Sequence, residues 1–261
     1  MRKKPVKTLA IIQARASSSR LPGKVLKPIL GKPMIELHIE RIQRCKNLDK
    51  LIVATSDKAD DDAIEKLCKK IGIFCFRGSL NNVLDRFYQA ACYFKPEHIV
   101  RLTGDCPLAD PLLIDDLIDF YFNEKCDYAC NDDPPTLPDG LDAEIFSFDA
   151  LKKNWEGATL RSEFEHPTLY FFNHPDKFKR SSWQNPADLS HMRWTVDEPE
   201  DFEFVEKIFT HLYEKNPRFD TNDILNILAQ YPDLSKINNM FTRNEGLEKS
   251  LRDDQLFMKN N

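Results

Sequence analysis

The sequence predicts an α/β fold in three layers, a mostly parallel sheet covered by helices on both faces, and three observations carry that expectation. Short apolar, β-rich runs alternate with segments of helical pattern through the first half of the chain, which is the rhythm of βαβ units. With 261 residues, 41% of them hydrophobic, the chain can bury a substantial core as one domain, or as one domain with an excursion. The alternation then breaks after Cys130 into a turn-rich stretch whose length suggests a functional loop.

Strands are expected at Leu9 to Gln13, Leu51 to Thr55, Ile73 to Phe76, His98 to Leu102 and Tyr128 to Cys130. The helices between them fall at Pro33 to Cys45, Asp60 to Ile71, Asn82 to Phe94 and Pro111 to Asn123. Each opens on proline or small polar residues, which suit the first turn of a helix. A sheet of this kind binds ligands outside the carboxyl ends of its strands. Beyond the Asn131 to Gly140 loop the pattern gives strands at Glu144 to Phe148, Phe178 to Ser182 and Met192 to Val196. Helices are expected near Glu163 to Phe172, at Pro199 to Glu214 and at Thr221 to Gln230. One domain over 1–231 follows, with a regular half of about 1–130 and an irregular half of about 131–231. The tail, 232–261, is polar and weakly periodic; it can wrap the domain, meet a second subunit or stay loose.

Composition narrows the function. A net charge of -5 argues against a nucleic-acid surface. No apolar run approaches the roughly 20 residues of a membrane span, and the start of the chain lacks a signal-peptide cleavage pattern, so a cytoplasmic protein without a membrane partner is expected. The seven cysteines include no CxxC pair, and Cys126 and Cys130 lack a second pair of ligands, so neither a disulfide framework nor a zinc site is expected.

The chemistry starts where the first strand runs into Ala14-Arg15-Ala16-Ser17-Ser18-Ser19-Arg20-Leu21-Pro22-Gly23-Lys24. Small residues let backbone N–H groups approach phosphate oxygens, and serine hydroxyls add donors. Arg15, Arg20 and Lys24 bring positive charge to a triphosphate and its leaving pyrophosphate. From composition alone a basic surface loop is the competing reading. Asp105 follows the His98 to Leu102 strand, and Asp197 follows Trp194-Thr195-Val196. Carboxylates at strand ends can converge on a hard cation, though each also reads as a turn former or helix cap. In the irregular half, Asp139, Asp142 and Glu144 can accept from sugar hydroxyls, and Arg161 and His166 flank a helix start. Solvated strand residues and a helix cap are the alternative. The aromatics Phe164, Tyr170, Phe171 and Phe172 suit an interface or a core equally.

Several motifs together carry a resemblance. Ala14-Arg15, Ser18 to Lys24 and Gly31-Lys32-Pro33-Met34 look like the N-terminal signature of the cytidylyltransferases that activate acidic sugars, such as CMP-KDO synthetase. Val53 to Asp57, Asn82 to Phe87, Arg101 to Leu108, Pro138 to Glu144, Arg193 to Asp197 and Arg243 to Gly246 resemble the spore-coat-polysaccharide type in particular. The resemblance thus spans nearly the whole chain. It implies a Rossmann-like nucleotide-diphospho-sugar transferase fold with a small substrate and dimerisation excursion, and hence a homodimer.

It further implies CTP and a sugar-like acceptor as partners, with Mg²⁺ as cofactor on Asp105 and Asp197. Arg15 and Lys24 would act in catalysis, while Ala14, Ala16, Ser17, Ser18, Ser19, Arg20, Thr55 and Gly104 would line the nucleotide. The base and ribose would be read near Arg77, Gly78, Ser79, Asp85 and Arg86. The implied reaction moves CMP onto a sugar acid or a phosphorylated sugar or polyol, releasing pyrophosphate, for surface polysaccharide or glycoconjugate synthesis. The Pro138 to Glu144 segment departs from CMP-KDO synthetase, so KDO is not the expected acceptor. Two other classes stay open: transfer with another base or glycosyl transfer on the same fold, and a nucleotide sensor without turnover.

Overall fold

Alternation along the first strand sets the layers. The computed structural model describes residues 6–243, 247, 248, 250–252 and 254. In β1 (Thr8–Gln13), Ala10 and Ile12 belong to one core cluster and Leu9 and Ile11 to another, all with 0% exposure. Side chains on a strand point alternately to opposite faces, so both faces of the sheet are buried. One face is covered by α1 (Met34–Ile42), α2 (Asp62–Lys70), α4 (Pro111–Glu124), α8 (Pro199–Leu212) and α9 (Thr221–Gln230). The other is covered by α3 (Val83–Phe94), α5 (Phe148–Gly157) and α7 (Leu169–Asn173), with the short α6 (Arg161–Glu165) packed on α3 and α7.

The remaining strands are β4 (Lys50–Ser56), β5 (Phe74–Gly78), β6 (His98–Thr103), β7 (Tyr128–Cys130), β8 (Glu144–Ser147) and β9 (Arg180–Ser182). The order across the sheet is β5-β4-β1-β6-β8-β7-β9. β8 runs antiparallel to both β6 and β7, and every other pairing is parallel. A separate two-stranded ribbon joins β2 (Pro28–Ile29) and β3 (Lys32–Pro33). Because β8 is reversed, its first residue, Glu144, lies opposite Arg101 near the carboxyl edge, where the ends of β1, β4, β5 and β6 also open.

Local chemistry accounts for the helix starts. Asn82 accepts from the Asp85 N–H at 2.8 Å and Asp110 from the Leu112 N–H at 2.9 Å, each satisfying a donor at a helix N-terminus. Three expectations change. Residues 148–157 form α5, begun by Ser147 accepting from the Ala150 N–H at 3.0 Å. The single helix expected at Glu163 to Phe172 is two, α6 and α7, because Pro167 has no N–H and its predecessor His166 is extended. Met192 to Val196 adds no strand to the sheet; it pairs with the loop through an isolated bridge between Asp139 and Arg193.

The tail wraps the domain as far as it is described. Leu234 is buried, and the buried Asn238 amide donates to Arg193 O at 3.0 Å and Asp201 Oδ1 at 2.8 Å. Of the Arg243 to Gly246 motif, residues 244–246 lie outside the described residues, as do residues 1–5. Among the described residues no helix is long and apolar enough to cross a membrane.

Two consequences of this packing can be measured. Gly140 has φ +109, and a Cβ there would lie 2.4 Å from Thr195 N and 2.5 Å from Trp194 C, both backbone atoms that cannot yield. Gly140→Ala is expected to cost about 3 kcal/mol or more, read as a shift in the urea midpoint. His38 is fully buried, with no hydrogen-bond partner for either ring nitrogen among the described residues, and burial lowers its pKa to about 3. The unfolded chain takes up this proton below about pH 6.5 while the folded protein refuses it. Stability should therefore fall from pH 6.5 towards pH 3 by up to about 1.4 kcal/mol per unit. Urea titrations at pH 7, 5 and 4 should show that slope reduced in His38→Leu.

Candidate active site

A close approach of two loops builds the floor of the site. The loop leaving β1 is held by Ala14 N–H donating to Ala54 O at 3.1 Å and Gly23 N–H donating to Ala16 O at 2.8 Å. Asp61, 1% exposed, accepts from Ala16 N–H at 2.6 Å and with its other oxygen from the backbone and hydroxyl of Ser56. The loop leaving β6 crosses directly beneath, with Gly104 N–H on Gln13 O at 2.8 Å. A Cβ on Gly104 would stand 2.9 Å from the Ala14 Cβ, so only glycine lets the loops approach this closely.

The turn at Gly23, with φ 71, leads into a short 3-10 helix, Lys24–Leu26, and the Lys24 side chain is 9% exposed. Its ammonium donates to Asp105 Oδ2 at 3.0 Å, Asp197 Oδ1 at 2.8 Å and Val196 O at 2.7 Å. Burial works against the charge on Lys24, but Asp105 and Asp197 outweigh it and raise the pKa. Burial likewise opposes ionisation of Asp105, yet Lys24 and hydrogen bonds hold that carboxyl well below the usual carboxylate range. Both groups are therefore charged at neutral pH.

Asp197 is positioned from behind. Arg193 grips Asp201 with two bonds of 2.8 Å and reaches Asp139 at 3.0 Å and Asp197 at 3.4 Å. Asp201 in turn accepts from the N–H groups of Asp197 and Glu198, each at 2.9 Å. From the front, Arg20 pairs with Asp197 at 3.0 Å and Glu198 at 3.2 Å. Among the described residues no three His, Cys, Asp or Glu side chains group to hold a metal. Two carboxylates converging on one ammonium still fit magnesium, which commonly takes one or two protein carboxylates and completes its shell with phosphate oxygens and water.

Two cavities meet at this pair. One of about 620 Å³ is lined by Ala14, Arg15, Ser18, Ser19, Lys24, Arg86, Gly104 and Arg161, with Leu80, Asn81 and Glu165. The other, about 500 Å³, is lined by Asp139, Asp142 and Glu144, with Arg101, Asp132, Asp133 and Arg193. Arg20, Thr103, Asp105, His166 and Asp197 line both. Arg15 is exposed on the wall of the first. Burial and then Arg15 lower the Arg86 pKa to about 10; its Nη1 donates to Ser79 O at 2.9 Å and its buried Nε has no partner among the described residues. His166, which lines both cavities, is held below its ordinary pKa by burial and by Arg101, so its ring is neutral at pH 7.

Other residues expected at the site take partners within the protein. Arg77 does not line either cavity: its guanidinium is taken by Asp62, Glu65 at 2.9 Å, Ser56 O at 2.9 Å and Lys58 O at 2.6 Å. Asp85 accepts from Trp155 Nε1 at 2.9 Å, Ser79 Oγ from Asn82 N–H at 3.0 Å, and Gly78 packs on Arg86. Thr55 is buried within β4, the backbone of Ala16 is tied to Asp61, and Ser17 lies outside both cavities. Arg161 faces the first cavity and not the second. Asp61, Asp132 and the supporting role of Arg193 were missed; the four-residue step from Arg193 to Asp197 was a usable signal for the last.

A family model described as Cytidylyltransferase matches residues 9–245. The uncharacterized protein MJ1063 of Methanocaldococcus jannaschii is 37% identical over 235 residues, 89% of this chain and 95% of its own. The spore coat polysaccharide biosynthesis protein SpsF of Bacillus subtilis is 35% identical over 232 residues, 86% of this chain and 95% of its own. Among solved structures, a cytidylyltransferase from Leptospira borgpetersenii superposes with a TM-score of 0.84 at 32% identity, covering 88% of this chain and 96% of that one.

Proposed function

Because the chain belongs to the cytidylyltransferase family, we propose that its two cavities transfer CMP from CTP, held in the first, to a sugar-like acceptor in the second, releasing pyrophosphate. The observation that carries this reading is the shared wall: Asp105 and Asp197 line both cavities, and the Lys24 ammonium, on the wall of the first, bonds to both of them. An acceptor hydroxyl oxygen attacks the α-phosphorus in line. The bond from that phosphorus to the bridging oxygen breaks, pyrophosphate leaves with the electron pair, and the hydroxyl proton is released.

No covalent enzyme intermediate is required. Arg15 and Lys24 offset the charge that grows on the leaving pyrophosphate, while the Ser18 and Ser19 segment borders the phosphates. Asp105 and Asp197 would hold Mg²⁺, which supplies charge neutralisation and Lewis acidity to the phosphoryl group when bound. The second cavity has more carboxylates than arginines, which favours an attacking hydroxyl over a phosphate and so a CMP-linked product. The spore-coat name of one relative supports a product destined for a surface polysaccharide.

Pyrophosphate release with each of the four nucleoside triphosphates and Mg²⁺, against ulosonic acids and phosphorylated polyols, tests the proposal. Release with CTP alone is expected. Release with another triphosphate would overturn the choice of base, and CTP binding without turnover on any acceptor would favour a sensor. The geometry also separates two arginines. Arg86→Ala should weaken CTP binding about tenfold, whereas Arg77→Ala should change it by less than about twofold, as read by titration calorimetry.

A further inference from the structure

An aspartate directly before a helix ordinarily turns its side chain onto the first N–H groups of that helix. Asp61, which ends a short 3-10 turn and directly precedes α2, makes no such bond. Its carboxylate joins two other segments instead. One oxygen accepts from Ala16 N–H at 2.6 Å, in the loop leaving β1, and the other from the N–H and hydroxyl of Ser56, the last residue of β4. The Ser56 hydroxyl also accepts from Lys58 N–H at 3.2 Å, which leaves its own proton for Asp61. Three donors thus converge on one buried side chain, and only a carboxylate offers acceptors at both ends with no donor of its own.

Asp61 lines neither cavity, yet what it holds leads straight to the first. Ala16, tied by its N–H, accepts with its carbonyl from Ser18 N–H at 2.9 Å and Gly23 N–H at 2.8 Å, so both ends of the loop meet on one residue. Ser18, Ser19 and Arg20 are carried between those ends and Lys24 follows directly; all four line the first cavity. Left loose, such a loop would have to be ordered each time it gripped phosphates, and that ordering weakens binding.

Resting on the transfer reading above, we propose that Asp61 is a positioning residue for CTP: from outside the cavity it locks residues 16–23 to the end of β4, so that Ser18, Ser19 and Lys24 stand ready before the triphosphate arrives. The acceptor side is little affected, because the second cavity shares only Arg20 with that segment.

Asp61→Asn is the decisive variant. It keeps the shape but puts an NH₂ group where one set of donors needs an acceptor, so either Ala16 or Ser56 loses its bond. CTP affinity, read by titration calorimetry, is expected to fall about tenfold. In pyrophosphate release with Mg²⁺ and the best acceptor of the panel above, the KM for CTP should rise while that for the acceptor stays within about twofold. Amide hydrogen exchange should quicken in residues 14–24 and at Ser56 and stay unchanged elsewhere, which also shows that the variant is folded. Ser56→Ala is the milder second variant: it keeps the Ala16 contact, removes one of the three donors, and is expected to weaken CTP about threefold. Leu117→Ala, which empties a fully buried site on α4 away from both cavities, supplies the pattern of a merely structural defect, with exchange quickened broadly and both KM values unchanged. Unchanged CTP affinity in both Asp61→Asn and Ser56→Ala, a rise in both KM values alike, or exchange spread as in Leu117→Ala would overturn the proposal while leaving cytidylyl transfer standing. A wild-type protein that binds no CTP would instead remove the transfer reading itself.

Discussion

Asp105→Ala is expected to lower kcat/KM for pyrophosphate release from CTP by about 10³-fold, the scale on which loss of one electrostatic stabiliser of a transition state acts. Asp105 shares the Lys24 ammonium with Asp197 and lines both cavities, which under the proposed transfer puts it where the reacting groups meet. Its backbone carbonyl also accepts from Val196 N–H at 2.8 Å, a bond that the substitution keeps. The fold should therefore survive, and CTP affinity in the absence of divalent metal should change little. Asp105→Asn separates charge from shape: it preserves the side-chain volume and should be nearly as inactive. More than a tenth of wild-type activity in the asparagine variant would remove Asp105 from the centre of the chemistry.

The second large effect is expected at Lys24. Lys24→Met should reduce kcat/KM by about 10² to 10³-fold and also weaken CTP binding, because one change removes a cation from the triphosphate and leaves Asp105 and Asp197 facing each other. Lys24→Arg should not restore activity. The Lys24 side chain is 9% exposed and wedged between two carboxylates and a carbonyl, and a planar guanidinium has a different shape and fan of donors. Steady-state kinetics with CTP varied at fixed acceptor distinguishes this from a surface lysine, for which arginine would substitute freely.

The first half of the fold was legible because its signals are local. β1, β4 and β6 are short runs buried on both faces, and α3 and α4 announce themselves through Asn82, Asp110 and Pro111. What failed depended on distant contacts or weak patterns. In α5 only Ala150, Leu151 and Asn154 are buried, too thin a stripe for periodicity to mark. The break at Pro167 was readable from its missing N–H, yet the aromatic run around it suggested one continuous helix. For the site, charge and strand ends raised Lys24, Asp105 and Asp197 as candidates and the resemblance assigned them, but neither gave their arrangement as one ammonium between two carboxylates. Arg77 shows the limit most clearly. Its position at a strand's carboxyl end resembles a nucleotide contact, while its actual partners Asp62 and Glu65 lie on the helix before that strand. No local pattern distinguishes those destinations.

The position of β8 bears on how the chain can be made and divided. In the sheet, β8 sits between β6 and β7, although it follows both in sequence. As the chain emerges from the ribosome, β7 has no neighbour until residues 144–147 arrive, and its other edge waits for residues 180–182. Until then β6 presents an open edge of the kind that invites association with other chains. A fragment ending at Cys130 would keep β1 and β4 to β7 and still be an unfinished sheet. The two halves of the sheet are therefore inseparable in biogenesis, and a split protein would have to be cut elsewhere to reassemble.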